Sequence, residues 1–415
     1  MRIAVVGLGF VGLTTALGLA HAGHQVYGVE ADANRRKILQ EGKIPFHEPY
    51  LREQLEASQS AGRFIVSASM DEAVTESEII FYCVGTPCGQ GGEADLTCLF
   101  QAIDQTLAAI HDTQFRVLVT KSTIPPSTTK ERIIPYVESN APEGARLCVA
   151  NNPEFLREGF CWEDFIGADR VIIGCDDELG RERLDALYEP LNVPICHVSP
   201  STGEFIKYLS NSLLAALISF SNEMAQIGEA VGGIQVAEAF RILHMDKRWK
   251  GGGMASYAYP GCGYGGYCLP KDTSALRALS RRYGIEPAIL DAVIKTNEAR
   301  PGKIAARIVE GLRPEQIIGI AGLAFKPGSD DVRESSAKYI IEDLNAIGYR
   351  RILAYDPLAS KTFQEAYPEL ELRYCKDLDE LCAEAGRIAI TTAWPEFKRL
   401  AQWNGGEVID CRYLL

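Results

Sequence analysis

Ile3-Ala4-Val5-Val6-Gly7-Leu8-Gly9-Phe10-Val11-Gly12 opens the chain with an apolar run that passes, over three glycines, into a helical pattern. Four consecutive apolar residues read as a strand, and the residues after Phe10 as a helix. In that context Gly7, Gly9 and Gly12 form a dinucleotide fingerprint. The glycines allow a tight turn and close approach of the backbone to a pyrophosphate. Phe10 and Val11 start the helix, whose N-terminus offers N–H donors and a positive dipole end. The next strand, Gln25–Glu30, ends on an acid 18 residues after Gly12. An acid there bonds the ribose hydroxyls and favours NAD over NADP. Arg35 keeps accommodation of a 2′-phosphate open.

Outward from this unit the first third alternates short apolar runs with helical patterns, the signature of a parallel sheet. Ile79–Val84, Val117–Lys121 and Leu147–Asn151 are its clearest further strands, and Arg170–Gly174 and Ile195–His197 continue the pattern. Gly85-Thr86-Pro87 ends a strand at the same sheet edge as the fingerprint. The pattern changes at Ser199-Pro200-Ser201-Thr202-Gly203. From Glu204 to about Met245 there is no proline, and Phe205, Leu209, Leu213, Ala216, Phe220, Met224 and Ile227 recur at helical spacing. One or two long helices are expected, a natural connector and a natural subunit interface. Strands resume at Ile317–Ala321, Arg351–Tyr355, Arg387–Thr391 and Glu407–Asp410, with helices at Ser335–Ile347 and Asp377–Ala385. This second doubly wound unit lacks the glycine fingerprint, so it is expected to bind something other than a dinucleotide. The expected fold is α/β, with two Rossmann-like doubly wound domains joined by a long central helix. Its boundaries are 1–200, 201–300 and 301–415.

At 415 residues the chain exceeds one ordinary core, and its 47% hydrophobic content is that of a globular protein. The net charge of −13 argues against nucleic acid as a bulk partner. No apolar run is long enough to span a bilayer, and Ile3–Val6 already reads as a strand rather than a signal peptide. Twelve cysteines without CxxC pairs imply free thiols in a reducing cytoplasm, with neither disulfides nor a metal site.

One of these thiols stands apart. Tyr259-Pro260-Gly261-Cys262-Gly263-Tyr264-Gly265-Gly266-Tyr267-Cys268-Leu269-Pro270-Lys271-Asp272-Thr273 brings a glycine-rich approach to Cys268, and Pro270 suits the first turn of a helix. Four glycines would let the backbone approach a bound ligand closely. A thiol at a helix N-terminus beside Lys271 is a candidate nucleophile, with Asp272 as base or orienter. Lys121-Ser122-Thr123 ends another strand. Asn151-Asn152-Pro153-Glu154-Phe155-Leu156-Arg157-Glu158-Gly159 carries two acids at i, i+4. Lys207 and Asn211 share one face of the long helix. Lys326 and Arg333 lie on a loop leading into a helix. Read singly, the Lys–Asn face and the paired acids are ordinary solvated surface.

Taken together these stretches resemble the UDP-glucose/GDP-mannose dehydrogenase family, and the resemblance runs from Arg2 to about Asp410. It implies NAD-dependent oxidation of a nucleotide sugar's primary alcohol to a carboxylate. Lys207 and Asn211 would hold the C6 oxygen, with a water ordered by Asp272. Cys268 would capture the aldehyde, and Glu154 with Thr123 would activate the hydrolytic water. Gly85, Thr86, Pro87, Ser122, Glu158, Lys271 and Arg333 would join the fingerprint on the cofactor side. Phe155, Leu156, Tyr257, Tyr259, Tyr264, Gly265, Phe325 and Lys326 would meet the substrate, and Arg248 would reach it from a partner subunit in a homodimer or higher homo-oligomer. The Pro270-Lys271-Asp272 run resembles the UDP-glucose and GDP-mannose branches, and Tyr267 with the Tyr264-Gly265-Gly266 approach tilts the substrate to UDP-glucose. A UDP-N-acetylhexosamine or GDP-mannose enzyme, a two-electron hydroxyacid dehydrogenase, and an inactive nucleotide-sugar-binding protein are the alternatives.

Overall fold

The computed structural model describes residues 1–67, 69–231, 233–246, 257, 259–284 and 286–415. Its contacts divide the chain into two compact units, Met1–Leu209 and Ser210–Leu415.

The first unit is built on one eight-stranded sheet. Its strands are β1 (Arg2–Val6), β2 (Gln25–Val29), β3 (Phe64–Ser67), β4 (Ile79–Tyr82), β5 (Phe115–Thr120), β6 (Arg146–Asn151), β7 (Val171–Gly174) and β8 (Ile195–Val198). They lie in the order β3-β2-β1-β4-β5-β6-β7-β8. Alternate residues of β1 serve opposite cores. Ile3 and Val5 pack with Leu13 and Leu17 of the Phe10–His21 helix, while Ala4 and Val6 pack with Leu99 and Ile103 of the Thr97–Ala108 helix. Both faces being covered explains why the strands read as continuous apolar runs. The chain order reverses between β1 and β4, which makes the C-terminal edge of these strands the binding crevice of such a sheet.

Two features of this sheet depart from the sequence reading. The edge strand β3, which buries Phe64 and leaves Ile65 exposed, was not read from the sequence. The β7–β8 pair is parallel within itself but joins β6 antiparallel, through Asn151 and Gly174. Gly174 is required there, since a Cβ would stand 2.3 Å from Asn151 Oδ1.

The central helix, Pro200–Val231, starts on a proline at its first position, where the missing N–H costs nothing. A second helix, Val236–Leu243, follows.

In the second unit, β9 (Ile318–Ala321), β10 (Ile352–Tyr355), β11 (Arg373–Tyr374), β12 (Arg387–Ile390) and β13 (Glu407–Asp410) form an all-parallel sheet. Its order is β11-β10-β9-β12-β13. Ile318 and Ile320 pack with Ile340, Ile341 and Ile308, and Ala321, Ile388 and Ile390 pack with Leu381 and Phe397. Among the described residues no helix is long and apolar enough to cross a membrane.

Candidate active site

The glycine turn after β1 has the shape the fingerprint demands. Gly7 adopts φ 90°, and a Cβ on Gly12 would stand 1.8 Å from Gly7 O. A Cβ on Gly9 meets nothing within 4 Å, so the space above the turn is open. Gly9 is the N-cap of the Phe10–His21 helix and supplies no capping side chain, which leaves helix N–H groups for an anion. Glu30, at the end of β2, accepts the Leu8 N–H (3.1 Å) and the Asp32 N–H (2.9 Å), so its carboxylate faces the turn. Arg35 stands 3.5 Å from it. This open, donor-lined turn with an acid at the neighbouring strand end fits a dinucleotide. The loops after β4 and β5 are tied together at the same edge, where Thr86 Oγ1 donates to Thr123 O (2.8 Å) and Ser122 Oγ donates to Val84 O (2.6 Å).

Glu154 follows β6 and is buried with Lys207 of the central helix. Lys207 Nζ lies 2.8 Å from Glu154 Oε1, and the Leu156 N–H donates to Oε2 at 2.6 Å. Burial alone would raise the Glu154 carboxyl. The Lys207 ammonium, its hydrogen bond, the Leu156 N–H and Lys121 outweigh it and hold the group below the ordinary carboxylate value. Phe155 lies beneath both Lys207 and Arg170, at 5.4 and 4.7 Å from its ring centroid. The acids Glu154 and Glu158 do not share a helix, contrary to what their spacing suggests. Residues 152–157 have no regular structure. Pro153 turns Asn152 away from helical geometry, and Asn152 is committed elsewhere. Its Oδ1 accepts from Lys121 Nζ (2.9 Å) and Tyr188 OH (2.5 Å).

Sequence reasoning missed three buried groups here, because only the fold assembles them. Lys121 is brought down to about 8, chiefly by burial. Glu48 accepts the Gly159 N–H and the Cys161 thiol. Glu204 stands three residues before Lys207 on its helix, the one faint signal the sequence held. Its Oε1 accepts the Thr129 N–H (2.7 Å), and burial pushes its carboxyl up to about 7. The folded protein therefore holds a proton on Glu204 that the unfolded chain, near 4.5, releases. Stability falls as pH rises from about 4.5 to about 7, by on the order of 3 kcal/mol. Glu204→Gln is expected to remove that slope from urea midpoints measured across the window.

In the second unit the Cys268–Arg282 helix begins on the thiol itself, with Pro270 in its first turn and Arg281 and Arg282 at its opposite end. Asp272, one turn in, is fully buried between two donors. Asn211 Nδ2 reaches Oδ2 and Lys271 Nζ reaches Oδ1, both at 2.6 Å. Cys268 and Asp272 lie at i, i+4 on one helix face.

The glycines before Cys268 serve the protein's own packing. A Cβ on Gly261 would stand 2.3 Å from Arg412, on Gly263 2.6 Å from Asn297 Oδ1, on Gly265 2.1 Å from Glu334 O, and on Gly266 2.9 Å from the Phe325 ring. The reading of all four as a ligand approach is thereby corrected. Asn297 also clamps Tyr264, accepting its N–H and donating to its carbonyl, so this tyrosine is core. Tyr259 donates to Tyr413 O and packs on Phe240 and His244, while Tyr257 is half-buried. Arg333 stacks over Tyr267 at 4.5 Å and binds Asp331 through two nitrogens. Lys326 lies over Phe325. Arg248 and the glycine-rich stretch 249–256 fall outside the described residues.

The turn after β9 is a pinned counterpart of the fingerprint. Asp356, following β10, accepts the N–H groups of Leu323, Ala324, Leu358 and Ala359 and the Trp394 indole N–H. An acid so saturated has no lone pair to offer a ribose, in keeping with the expectation that this unit binds something else.

The chain matches three family models in succession: the NAD-binding domain at residues 1–192, the central domain at 201–299 and the UDP-binding domain at 319–415, each described as that of the UDP-glucose/GDP-mannose dehydrogenase family. The chain belongs to that family. A UDP-glucose 6-dehydrogenase from Pseudomonas aeruginosa is 35% identical over 412 residues, covering 96% of this chain and 89% of the relative. One from Haloferax volcanii is 33% identical over 96% of this chain and 93% of its own length. Among solved structures, a UDP-glucose dehydrogenase from the hyperthermophilic archaeon Pyrobaculum islandicum is 34% identical, with a TM-score of 0.93, covering all of this chain and 94% of that one. A UDP-D-ManNAc dehydrogenase from Pyrococcus horikoshii is 28% identical with a TM-score of 0.85, covering 100% and 96%. The protein is thus an NAD-dependent nucleotide-sugar dehydrogenase of this family.

Proposed function

We propose that this enzyme oxidises the C6 alcohol of UDP-glucose to the carboxylate in two NAD-dependent steps, holding the aldehyde covalently on Cys268. The observation that carries the reading is Cys268 at the first position of its helix, with Asp272 one turn in, buried and held by Asn211 and Lys271. A single oxidation to a carbonyl needs no thiol; a second one does. The sugar-nucleotide identity is supported by relatives named UDP-glucose 6-dehydrogenase and UDP-glucose dehydrogenase that are 34–35% identical over most or all of the chain.

Bound NAD supplies the hydride acceptor for each oxidation. Lys207 and Asn211, one turn apart on one helix, hold the C6 oxygen, and a water ordered by Asp272 takes its proton as the first hydride leaves carbon. The Cys268 thiolate then adds to the aldehyde carbon, and the carbonyl π pair becomes an oxyanion stabilised by Lys207. Loss of the second hydride from that carbon leaves a thioester. Glu154, with Thr123, removes a proton from water as it attacks, and the C–S bond breaks to return the thiolate and release the acid.

Gly7, Gly9, Gly12, Glu30, Ser122, Thr86 and Glu158 are assigned to the cofactor, and Phe155, Leu156, Phe325 and Lys326 to the substrate. Arg333 toward the cofactor and Arg248 toward a partner's substrate remain proposals of the family resemblance. We assign the division 1–200, 201–300 and 301–415 to cofactor binding, helix-mediated association and UDP-sugar binding. Phe205, Leu209, Leu213 and Phe220 form an exposed apolar stripe along the central helix, which supports a homodimer formed through it.

The substrate is tested with a panel of UDP-glucose, UDP-N-acetylglucosamine, UDP-N-acetylmannosamine and GDP-mannose. NADH formation with UDP-glucose at a kcat/KM at least 100-fold above the others is expected. A preference for another sugar nucleotide overturns the assignment.

A further inference from the structure

A small chamber lies behind Lys207 in the first unit. Thr120, Ser122, Thr123, Ile124, Asn151, Pro153, Glu204 and Lys207 line it, and it offers about 10 Å³ to the centre of a water-sized sphere. That is at the threshold for one water molecule, roughly 10–15 Å³.

Several polar atoms of its walls are committed. Ser122 Oγ donates to Val84 O, Lys207 binds Glu154, and Asn151 Nδ2 donates to Pro200 O. Three atoms are left over. Thr120 Oγ1, Asn151 Oδ1 and Glu204 Oε2 are buried without a hydrogen-bond partner among the described residues, and Asn151 Oδ1 faces Gly174 and Gly203, whose missing Cβ atoms would stand 2.3 Å from it. Thr120 and Glu204 are 1% and 3% exposed, so bulk solvent does not satisfy them. Stranding a buried carboxyl oxygen and a buried hydroxyl is costly, and native interiors resolve such pairs with ordered water.

We propose that this chamber holds one ordered water bound between Glu204 Oε2 and Thr120 Oγ1, and that Glu204 is through it a positioning residue for Lys207. Glu204 is suited to that role from both sides. Its Oε1 caps the turn at Thr129, seven residues after Ser122 on the same loop. Its backbone lies one helical turn before Lys207, so a carboxyl held at both oxygens fixes the first turns of the central helix against the Ser122–Thr123 loop. The consequence for turnover rests on the proposed role of Lys207; the water itself does not.

The test pairs crystallography with kinetics on the full-length enzyme. A map resolving buried waters should show one peak within hydrogen-bond distance of Glu204 and Thr120. The peak should persist in Glu204→Gln, which keeps a polar atom in place, and vanish in Glu204→Leu. Turnover should fall at least tenfold in the leucine variant at little-changed KM, with the glutamine variant restoring most of it. Thr120→Val, which removes only the hydroxyl at constant shape, should weaken the same peak, so the proposal stays testable if the leucine variant fails to fold. A wild-type chamber without a peak, in a map showing other buried waters, overturns the water site. A leucine variant that loses the water and turns over at the wild-type rate overturns the positioning role. Neither result depends on which sugar nucleotide is oxidised.

Discussion

Cys268→Ala is expected to leave the first oxidation and abolish the second. Acid formation should fall by about 10³-fold or more, the scale on which removing an enzyme's nucleophile acts. The thiol is half-buried at the first position of its helix, so truncating it opens no core cavity. The melting temperature should stay near that of the wild type. Lys207 and Asn211, proposed to hold the C6 oxygen, are untouched, so KM for the sugar nucleotide should change little. Rapid-quench analysis should find aldehyde-level product at no more than one NADH per sugar. Acid production at the wild-type rate would exclude covalent capture by this residue.

Lys207→Met should be nearly as severe, and for two separable reasons. Glu154 is buried, and the Lys207 ammonium 2.8 Å away is the main force keeping it ionised against burial. Without that ammonium, burial prevails and the carboxyl rises, so Glu154 is protonated at pH values where it now accepts protons. Breaking a buried pair from one side typically costs about 3–5 kcal/mol, readable as a shift in the urea midpoint. Loss of an oxyanion donor removes a further factor of about 10²–10³ from turnover. The double variant Lys207→Met, Glu154→Gln distinguishes the two effects. It no longer buries an unpaired charge, so it should recover most of the stability and none of the activity. Recovery of activity alongside stability would mean that neither Lys207 as oxyanion donor nor Glu154 as base takes part in the chemistry.

The parts of this account that were legible in sequence are those fixed locally. Gly7, Gly9, Gly12 and Glu30 were readable because strand, turn and helix follow one another within thirty residues, and each glycine answers a backbone demand made by its own neighbours. The thiol at the helix start was readable from Pro270 and the pattern after it. What was not legible depends on chain segments far apart. The glycines before Cys268 looked like a ligand approach, because nothing in the sequence shows Glu334 O, Phe325, Asn297 and Arg412 arriving at them. Glu154 and Glu158 have helical spacing, but Pro153 and the side-chain bonds of Asn152 keep that stretch irregular. Lys121 and Glu204 gain their unusual character only by burial, which a solvent-exposed lysine or glutamate of identical local sequence would lack. The antiparallel junction at β7 depends on one residue pair, Asn151 with Gly174, and strand periodicity carries no sign of direction.

The central claim is that one thiol carries the substrate through both oxidations without releasing the aldehyde. The direct measurement is the number of NADH formed per sugar nucleotide consumed, with limiting UDP-glucose, excess NAD and a carbonyl-trapping reagent in solution. The account predicts two NADH per sugar, no trapped aldehyde from the wild-type enzyme, and trapped aldehyde from Cys268→Ala. One NADH per sugar from the wild type, or trapped aldehyde in proportion to turnover, would contradict it.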